Sequence, residues 1–496
     1  MRAVIGVRRA VIGAGVGLCA LPVCAGDIRF EEVVVPAHRY TGGWEHFVGG
    51  GVAVFDCNGD ELPDLFAAGG SRPASLMVNR SARGGAIAFE AVAIDEIVEV
   101  TGAYPLDIDG DGVLDLAVMR VGENRLLRGL GGCAFEDATQ AWGFEGGDRW
   151  STSFTATWED GADRATFFVG NYVNREDPEG PFEACDANEL HRPVAGGWEK
   201  TVLEPGFCAL SALMSKGARD RVMLRISNDR HYYVKGGYEQ LYDLRENRFL
   251  GDSDGWEKVS LWGMGIAERD VNGDQLPDVM LTSMGDQLLQ FATPAGGYVA
   301  APYETGTYAH RPHVGDDGRA TTGWHAEWGD VDNDGLVDLF IAKGNVEQMP
   351  SNAARDPNNL LRQRGDGTFE EVSVAAGVAS LEKSRGAGVV DFNADGKLDL
   401  VVVNRRGPLQ VWRNVSVGSG RWIEVAVPYG RGGVGTRVEV ESGGVVQMQE
   451  VTVGGGHVSG KAVPLHFGVG ESEVVRVRMT TPDGTQGPWV ERATSR

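Results

Sequence analysis

The sequence lacks the features that are typical of membrane, nucleic-acid-binding or disordered proteins. Beyond the N-terminal region, no apolar run reaches the roughly 20 residues that a membrane-spanning helix needs. Basic residues are few, with 46 Lys and Arg against 70 Asp and Glu, and the net charge of −24 argues against binding to phosphate backbones or anionic lipid. Tracts rich in proline and serine are also missing.

Glycine, by contrast, is abundant. The chain has 72 glycines in 496 residues, about twice the usual share. The apolar content of 42% is ordinary, so the chain can still bury a core. This combination favours many tight turns between short strands.

Five nine-residue segments repeat one acidic pattern. Side-chain oxygens stand at positions 1, 3, 5 and 9, and the backbone carbonyl of position 7 is free to join them. Such all-oxygen sets suit hard divalent cations, and calcium tolerates irregular geometry better than magnesium. We therefore expect about five Ca²⁺ sites. The expected ligands are Asp56, Asn58, Asp60, Leu62 and Asp64; Asp107, Asp109, Asp111, Val113 and Asp115; Asp270, Asn272, Asp274, Leu276 and Asp278; Asp330, Asp332, Asp334, Leu336 and Asp338; and Asp391, Asn393, Asp395, Lys397 and Asp399.

The acidic segments recur with a period of 51 to 61 residues, except for one gap of about three periods between 107 and 270. A short apolar strand follows each segment. The same kind of strand occurs inside the gap at 167–171 and 224–228, after turns at 158–166 and 215–223 that have lost the ligand oxygens. Seven repeats are therefore predicted.

Each repeat contains four short strand patterns, which is the composition of a propeller blade. The last repeat lacks its fourth strand, and a matching Phe-Glu-Glu-Val stands alone near the N-terminus. We expect a seven-bladed β-propeller over 26–415, in which residues 28–35 supply the closing strand. Residues 174–214 break the period and are predicted to form an inserted flap on one face.

The two ends of the chain differ from the repeats. Arginines 2, 8 and 9, an apolar run at 10–21 and small residues before position 26 predict a signal peptide over 1–25, and hence a secreted or periplasmic protein. From 416 to 496 the acidic pattern stops and apolar residues alternate with polar ones. This period of two predicts a second, small β-sandwich-like domain.

Four cysteines remain after the predicted signal peptide, and they allow three pairings. We favour Cys185–Cys208 as a local link, which leaves Cys57–Cys133. Free buried thiols are the alternative.

The acidic segments resemble the FG-GAP/VCBS repeats, which also form integrin α-subunit propellers. The C-terminal residues Gly-Thr-Arg at 435–437, Gly-Gly-Gly-His-Val-Ser at 454–459 and Leu-His-Phe-Gly-Val-Gly at 465–470 resemble the ASPIC/UnbV domain. The whole chain is similar to the cartilage-acidic-protein-like group. The resemblance implies the propeller fold, calcium binding and an exported binding or adhesion protein.

The expected function is a non-catalytic interaction module for a protein or a polysaccharide. We expect a monomer that binds no nucleic acid and does not span a membrane, and we assign no catalytic or cofactor-binding residue. Because propellers also host enzymes, the alternative is a secreted hydrolase or lyase that acts on an extracellular polymer, with paired acids over a central funnel. Trp256, Trp262, Trp324 and Trp328 either stack on sugars or pack between blades.

Overall fold

The computed structural model describes residues 27–177, 184–219, 221–229, 236–308, 318–347 and 349–496. The predicted signal peptide, 1–25, lies outside this range. Strands dominate the described residues, and the helical elements among them are single turns at Ser373–Ala376, Trp44–His46, Asp252–Asp254 and Tyr303–Thr305. No helix in this part of the chain is long and apolar enough to cross a membrane.

The strands from residue 30 to residue 414 form seven antiparallel groups of four, which we call blades 1 to 7. Blades 1 to 3 consist of β2 (Val52–Phe55), β3 (Asp64–Ala67), β4 (Ser75–Asn79) and β5 (Phe89–Val92); β6 (Val100–Leu106), β7 (Asp115–Gly122), β8 (Arg125–Gly129) and β9 (Phe135–Asp137); and β10 (Arg149–Thr157), β11 (Thr166–Asn171), β12 (Asn188–Val194) and β13 (Gly197–Leu203). Blades 4 and 5 consist of β14 (Ala209–Ser215), β15 (Met223–Asn228), β16 (Gln240–Asp243) and β17 (Arg248–Phe249); and β18 (Gly263–Arg269), β19 (Asp278–Ser283), β20 (Leu288–Ala292) and β21 (Tyr298–Ala300).

Blade 6 consists of β22 (Gly323–Gly329), β23 (Asp338–Lys343), β24 (Asn359–Gln363) and β25 (Phe369–Glu371), and blade 7 of β26 (Ser384–Val390), β27 (Asp399–Asn404), β28 (Gln410–Asn414) and β1 (Phe30–Val33). The first strands of successive blades contact one another in a ring, and β26 contacts β2. In blade 7, β1 pairs antiparallel with β28, with Phe30 opposite Asn414. The chain is therefore a seven-bladed propeller whose last sheet is built from both ends of the ring, which leaves no gap between the first and last blades.

Every acidic segment is the connection between the first and second strands of its blade. In blade 1 Phe55 pairs with Asp64, and in blade 6 Gly329 pairs with Asp338, so position 9 is the first residue of the second strand. Apolar strands separated by Asp, Asn and Gly turn residues favour this hairpin arrangement. We call the five segments the acidic turns of blades 1, 2, 5, 6 and 7.

The structure corrects the prediction for residues 174–214. Instead of an inserted flap, much of this segment forms regular blade strands, namely β12 and β13 of blade 3 and β14 of blade 4. The prediction was wrong because the third and fourth strands of blade 3 lack the Leu-Arg and Phe-Glu patterns of the other repeats. The connection from β11 to β12 is longer than in the other blades, and 178–183 lie outside the described residues.

Two disulfides form, Cys57–Cys133 and Cys185–Cys208, so both favoured pairings are confirmed. The first joins the acidic turn of blade 1 to the turn between β8 and β9 in blade 2. The second joins the segment before β12 to the segment before β14. Each disulfide therefore links two consecutive blades.

The C-terminal domain has two sheets. One is ordered β31 (Val445–Glu450), β30 (Arg437–Ser442), β34 (Val474–Thr480) and β35 (Val490–Ala493), and the other pairs β29 (Arg421–Val425) with β33 (Leu465–Gly470). Between β31 and β33 the chain leaves the domain, and its short strand β32 (Gly460–Ala462) pairs parallel with β2 of blade 1.

Residues 453–460, which we call the channel segment, pass through the centre of the propeller. Val453, Gly454, Gly456 and Ser459 form bridges to the first strands of blades 3, 4, 5 and 2, in that order. The backbone N–H of His457 donates to His325 Nδ1 of blade 6 at 3.0 Å, and the His457 ring lies 4.9 Å from that of Trp324. The central channel is therefore filled by the chain's own C-terminal domain.

This close approach explains two glycines at the inner strands. A Cβ atom on Gly51 would lie 1.8 Å from the carbonyl oxygen of Val458, and one on Gly102 would lie 2.0 Å from the same atom. Both glycines are therefore required by the channel segment and not by the turn geometry.

We predict that Gly51→Ala lowers the free energy of unfolding by about 1–3 kcal/mol, because the new methyl group overlaps a backbone carbonyl that cannot move freely. Gly251→Ala is the matched control, since its backbone is extended and nothing lies within 4 Å of the added Cβ. Urea unfolding of both variants measures the difference. Equal stability of the two variants would contradict the tight packing of the channel segment.

Candidate metal centres

The aspartate at position 9 holds each acidic turn against its blade. In blade 6, Asp338 Oδ2 accepts the N–H of Val331 at 3.0 Å, and Oδ1 accepts the N–H of Gln363 in the third strand at 2.9 Å. Asp64, Asp115, Asp278 and Asp399 accept the corresponding pairs of backbone N–H groups at 2.7–3.1 Å. One carboxylate thus links the turn, the second strand and the third strand.

The aspartate at position 1 shapes the turn. Asp270 Oδ1 accepts the N–H of Gly273 at 2.8 Å, and its Oδ2 accepts the N–H of Gln275 at 2.9 Å. The other four turns also direct the N–H of position 6 to Oδ2 of position 1, at 2.6–3.1 Å. In all five turns, the side chain of position 5 accepts the N–H of position 7.

The predicted ligands come together most closely in two of the turns. In blade 2, one oxygen each from Asp107, Asp109 and Asp115 lies within 4.8 Å of the others, and Asp330, Asp332 and Asp338 form the same group in blade 6. Asn replaces Asp at position 3 in blades 1, 5 and 7. Within the described residues, the three aspartates of those turns do not form such a group.

Two buried side-chain oxygens at position 3 indicate whether the acidic turns could hold a cation. Asp332 Oδ1 in blade 6 and Asn393 Oδ1 in blade 7 are buried and accept no hydrogen bond. The side-chain amide nitrogen of Asn393 donates to Gly85 O and Asp395 Oδ2. These two hydrogen bonds fix which side of the amide group carries the oxygen. Unpartnered buried acceptors next to clustered carboxylates match what a cation requires, so the residues present fit Ca²⁺.

Burial raises the pKa of the position 9 carboxyls. It raises the pKa of Asp64 to about 6 and the pKa values of Asp115 and Asp278 to about 7, while the pKa values of Asp338 and Asp399 lie well above the usual range. The negative charge of the neighbouring aspartates adds to this effect, and the backbone N–H donors oppose it. A bound cation would instead favour the ionised carboxylates.

Arginines on third strands contact three of the acidic turns. Arg128 Nε lies 2.9 Å from Asp109, Arg362 Nη2 lies 2.7 Å from Asp332, and Arg413 Nη2 lies 3.2 Å from Asp395. The recurring Leu-Leu-Arg pattern was visible in the sequence, but its role as a partner of the turn carboxylates was not predicted.

Ion pairs also join the two degenerate turns to their third strands. In blade 3, Arg192 of β12 pairs with Glu159 of the turn at 2.7 Å. In blade 4 the signs are exchanged, and Arg221 of the turn pairs with Asp243 of β16 at 2.5 Å. Third-strand arginines thus contact the turns of blades 2, 3, 6 and 7, and in blade 4 the arginine belongs to the turn instead.

The C-terminal domain rests on the acidic turns. The N–H groups of Gly420 and Gly470 donate to the carbonyls of Asp332 and Asn333 in blade 6, each at 2.9 Å, and His466 Nε2 lies 2.8 Å from Asn333 Oδ1. In blade 7, Lys397 Nζ donates to Ser416 O at 2.7 Å. The acidic turns and the C-terminal domain therefore share one face of the propeller.

Three of the tryptophans considered for sugar stacking are buried. Trp256, Trp324 and Trp328 are at most 7% exposed. Trp324 packs on His457 and under the Arg385 guanidinium, and Trp328 packs on Phe369. Packing inside the protein therefore accounts for these side chains.

Two solved structures show a distant likeness to this chain. A crystal structure of BBS1N in complex with ARL6DN matches with 10% identity and a TM-score of 0.44, over 77% of this chain and 96% of that chain. AofleA from Arthrobotrys oligospora matches with 11% identity and a TM-score of 0.37, over 69% of this chain and 88% of that chain.

Sequence comparison is more specific. Cartilage acidic protein 1 of Mus musculus is 30% identical over 164 residues, which are 31% of this chain and 25% of the relative, and the Homo sapiens protein is 30% identical over 164 residues and 24% of its length. The match thus spans about a quarter of the length of each of these curated relatives. The FG-GAP-like repeat matches residues 56–118 and 330–402, and the ASPIC and UnbV family matches 428–494. Two segments of the propeller are therefore similar to FG-GAP-like repeats, and the C-terminal segment is similar to the ASPIC and UnbV family.

Proposed function

We propose that this protein is an exported, calcium-binding propeller that serves as a non-catalytic interaction module for a protein or a polysaccharide. The observation that carries the proposal is the shared geometry of the five acidic turns, with its most compact carboxylate groups in blades 2 and 6. The two disulfides support export, because such bonds persist mainly in oxidising compartments.

In this proposal the cations are structural. Each would be held by the oxygens of positions 1, 3, 5 and 9 and by the carbonyl of position 7, as in the blade 6 residues Asp330 to Asp338. Calcium supplies charge neutralisation for three or four carboxylates that otherwise repel one another. Each acidic turn would order the first hairpin of its blade. In blades 2, 6 and 7 it would also order the surface that the C-terminal domain contacts.

The proposed interaction role rests on what the propeller offers to a partner. The channel segment fills the centre of the ring, so a large partner would have to bind on the outer surfaces. The net charge of −24 favours partners that are neutral or basic. The similarity to cartilage acidic protein 1 is consistent with an extracellular role.

Calcium should raise the melting temperature, and a chelator should lower it. A cation that binds the folded chain stabilises it by about 2.7 kcal/mol per site at a free concentration of 100 times Kd. Differential scanning calorimetry with calcium, with EDTA, and with EDTA followed by excess calcium measures this linkage. A melting temperature that is the same in all three conditions would contradict calcium binding.

Substitutions at position 3 of blade 6 provide a sharper test. Asp332→Ala should remove one ligand and reduce the calcium-dependent rise in melting temperature. Asp332→Asn should keep more of it, because Asn stands at this position in blades 1, 5 and 7. Asp366→Ala, in an exposed turn outside the acidic segments, is the control. If Asp332→Ala responds to calcium as fully as the control, blade 6 does not bind the ion.

The interaction role is tested by probing the calcium-loaded protein on a glycan array and on immobilised extracellular matrix proteins. We expect binding that is lost in EDTA and restored by calcium. A hydrolase and lyase screen on the same sample is the counter-test, since turnover of a polymer would favour an enzyme.

A further inference from the structure

The interface between the C-terminal domain and the propeller encloses a cavity of about 410 Å³. Its walls come from blades 1, 5, 6 and 7 and from residues 424–466 of the C-terminal domain. A smaller cavity of about 130 Å³ lies against the channel segment. Arg269 and Trp328 line both cavities. Clefts of this size between two domains are common places for small ligands.

Arg269 is a mostly buried arginine that lines the cavity and forms no hydrogen bond or ion pair with the described residues. It is the last residue of β18 and is 7% exposed. Its guanidinium makes no hydrogen bond or ion pair with any residue that the structure describes, and one contact it does make is with the ring of Phe467, 5.4 Å away. As a guanidinium, the side chain is charged at neutral pH.

The nearest carboxylates do not satisfy this arginine. Asp270 and Asp330 are close enough to act on its charge, but both accept backbone N–H groups of their own turns. Under the proposed function they also hold the cations of blades 5 and 6. The guanidinium nitrogens of Arg269 are not sealed from solvent, so water or a ligand in the cavity can accept their hydrogen bonds.

A second donor without a partner lines the same cavity. Trp328 is 7% exposed, and its indole Nε1 is buried with no hydrogen-bond acceptor. Indole N–H and guanidinium groups can only donate. The buried indole N–H cannot be reached from the cavity, so it is the Arg269 guanidinium that calls for an acceptor-rich, negatively charged group.

The other charged groups of the cavity limit the ligand. Lys461 is already paired with Glu327, which also accepts the N–H of Val389. His466 is neutral, since burial lowers its pKa to about 3. The exposed part of the wall is acidic, with Glu61 and Glu424, and its one arginine, Arg83, is paired with Glu61. These acids disfavour a ligand of several negative charges.

We propose that this cavity binds a small ligand with a single carboxylate, which Arg269 receives by hydrogen bonding. A volume of about 410 Å³ suits a sugar acid or a short peptide with a free C-terminus better than a simple anion. We thereby go beyond the proposed function and assign a second kind of ligand, in a cavity that borders the acidic turns of blades 1 and 7 through Asp56 and Asp391.

The test is isothermal titration calorimetry of the calcium-loaded full chain with sodium glucuronate, with glucose as the neutral match and with acetyl-dialanine as the peptide carboxylate. We expect one site that prefers glucuronate or acetyl-dialanine to glucose, and whichever acid binds identifies the source of the carboxylate. Arg269→Gln should weaken that binding roughly 10- to 100-fold, because a charged hydrogen-bonding partner is lost. Arg431→Gln, on an exposed arginine that pairs with Asp163, should leave it unchanged.

A second variant keeps the proposal testable if Arg269→Gln does not fold. Ala426 is exposed and lines the cavity, so Ala426→Trp should block it without disturbing the core, and should abolish binding. Binding of neither acid to the wild-type protein, equal binding of glucose, or full binding by either cavity variant would overturn the proposal. Loss of calcium binding alone would show instead in the chelator melts, which do not depend on the carboxylate.

Discussion

The fold depends on a carboxylate that is held by three separate backbone segments. The position 9 aspartate of each acidic turn starts the second strand, accepts an N–H from the turn and accepts another from the third strand. This arrangement repeats in five of the seven blades, and it buries five carboxyls whose pKa values are raised by burial. The cost of burying them is offset in full only if something neutralises the cluster. We propose that calcium has that role in these five blades; the degenerate turns of blades 3 and 4 have Thr166 and Met223 at position 9 and contain no such cluster.

The second constraint is the passage of the channel segment through the ring. It brings backbone within van der Waals distance of the inner strands, and so it requires glycine at Gly51 and Gly102. It also joins the two domains into one unit, because residues of the C-terminal domain form part of the propeller's interior. The cavity that Arg269 lines is a consequence of this docking, since nearly half of its wall belongs to the C-terminal domain.

Much of the architecture was predictable from the sequence because its determinants are local. The acidic pattern marks the first hairpin of a blade, and its spacing along the chain gives the number of blades. The same spacing locates the two blades whose turns, at 158–166 and 215–223, have lost the ligand residues. The short separation of Cys185 and Cys208 favoured one disulfide, and the second, Cys57–Cys133, was expected by elimination. The strands of blade 3 at 188–203 were missed, because half-exposed strands without the repeat pattern resemble a loop. The channel segment could not be foreseen, because the Gly-Gly-Gly-His run at 454–457 does not specify what it packs against. The third-strand arginines were visible as a pattern, but their contacts depend on strand register.

The most direct measurement of the central claim is a crystal structure of the protein grown in calcium, with anomalous difference maps recorded at long wavelength. The account predicts one peak in each acidic turn of blades 1, 2, 5, 6 and 7, about 2.3–2.6 Å from the oxygens of positions 1, 3, 5, 7 and 9. It predicts none in the turns of blades 3 and 4. Acidic turns that keep the observed hydrogen bonds but contain no peak, above all in blade 6, would contradict it.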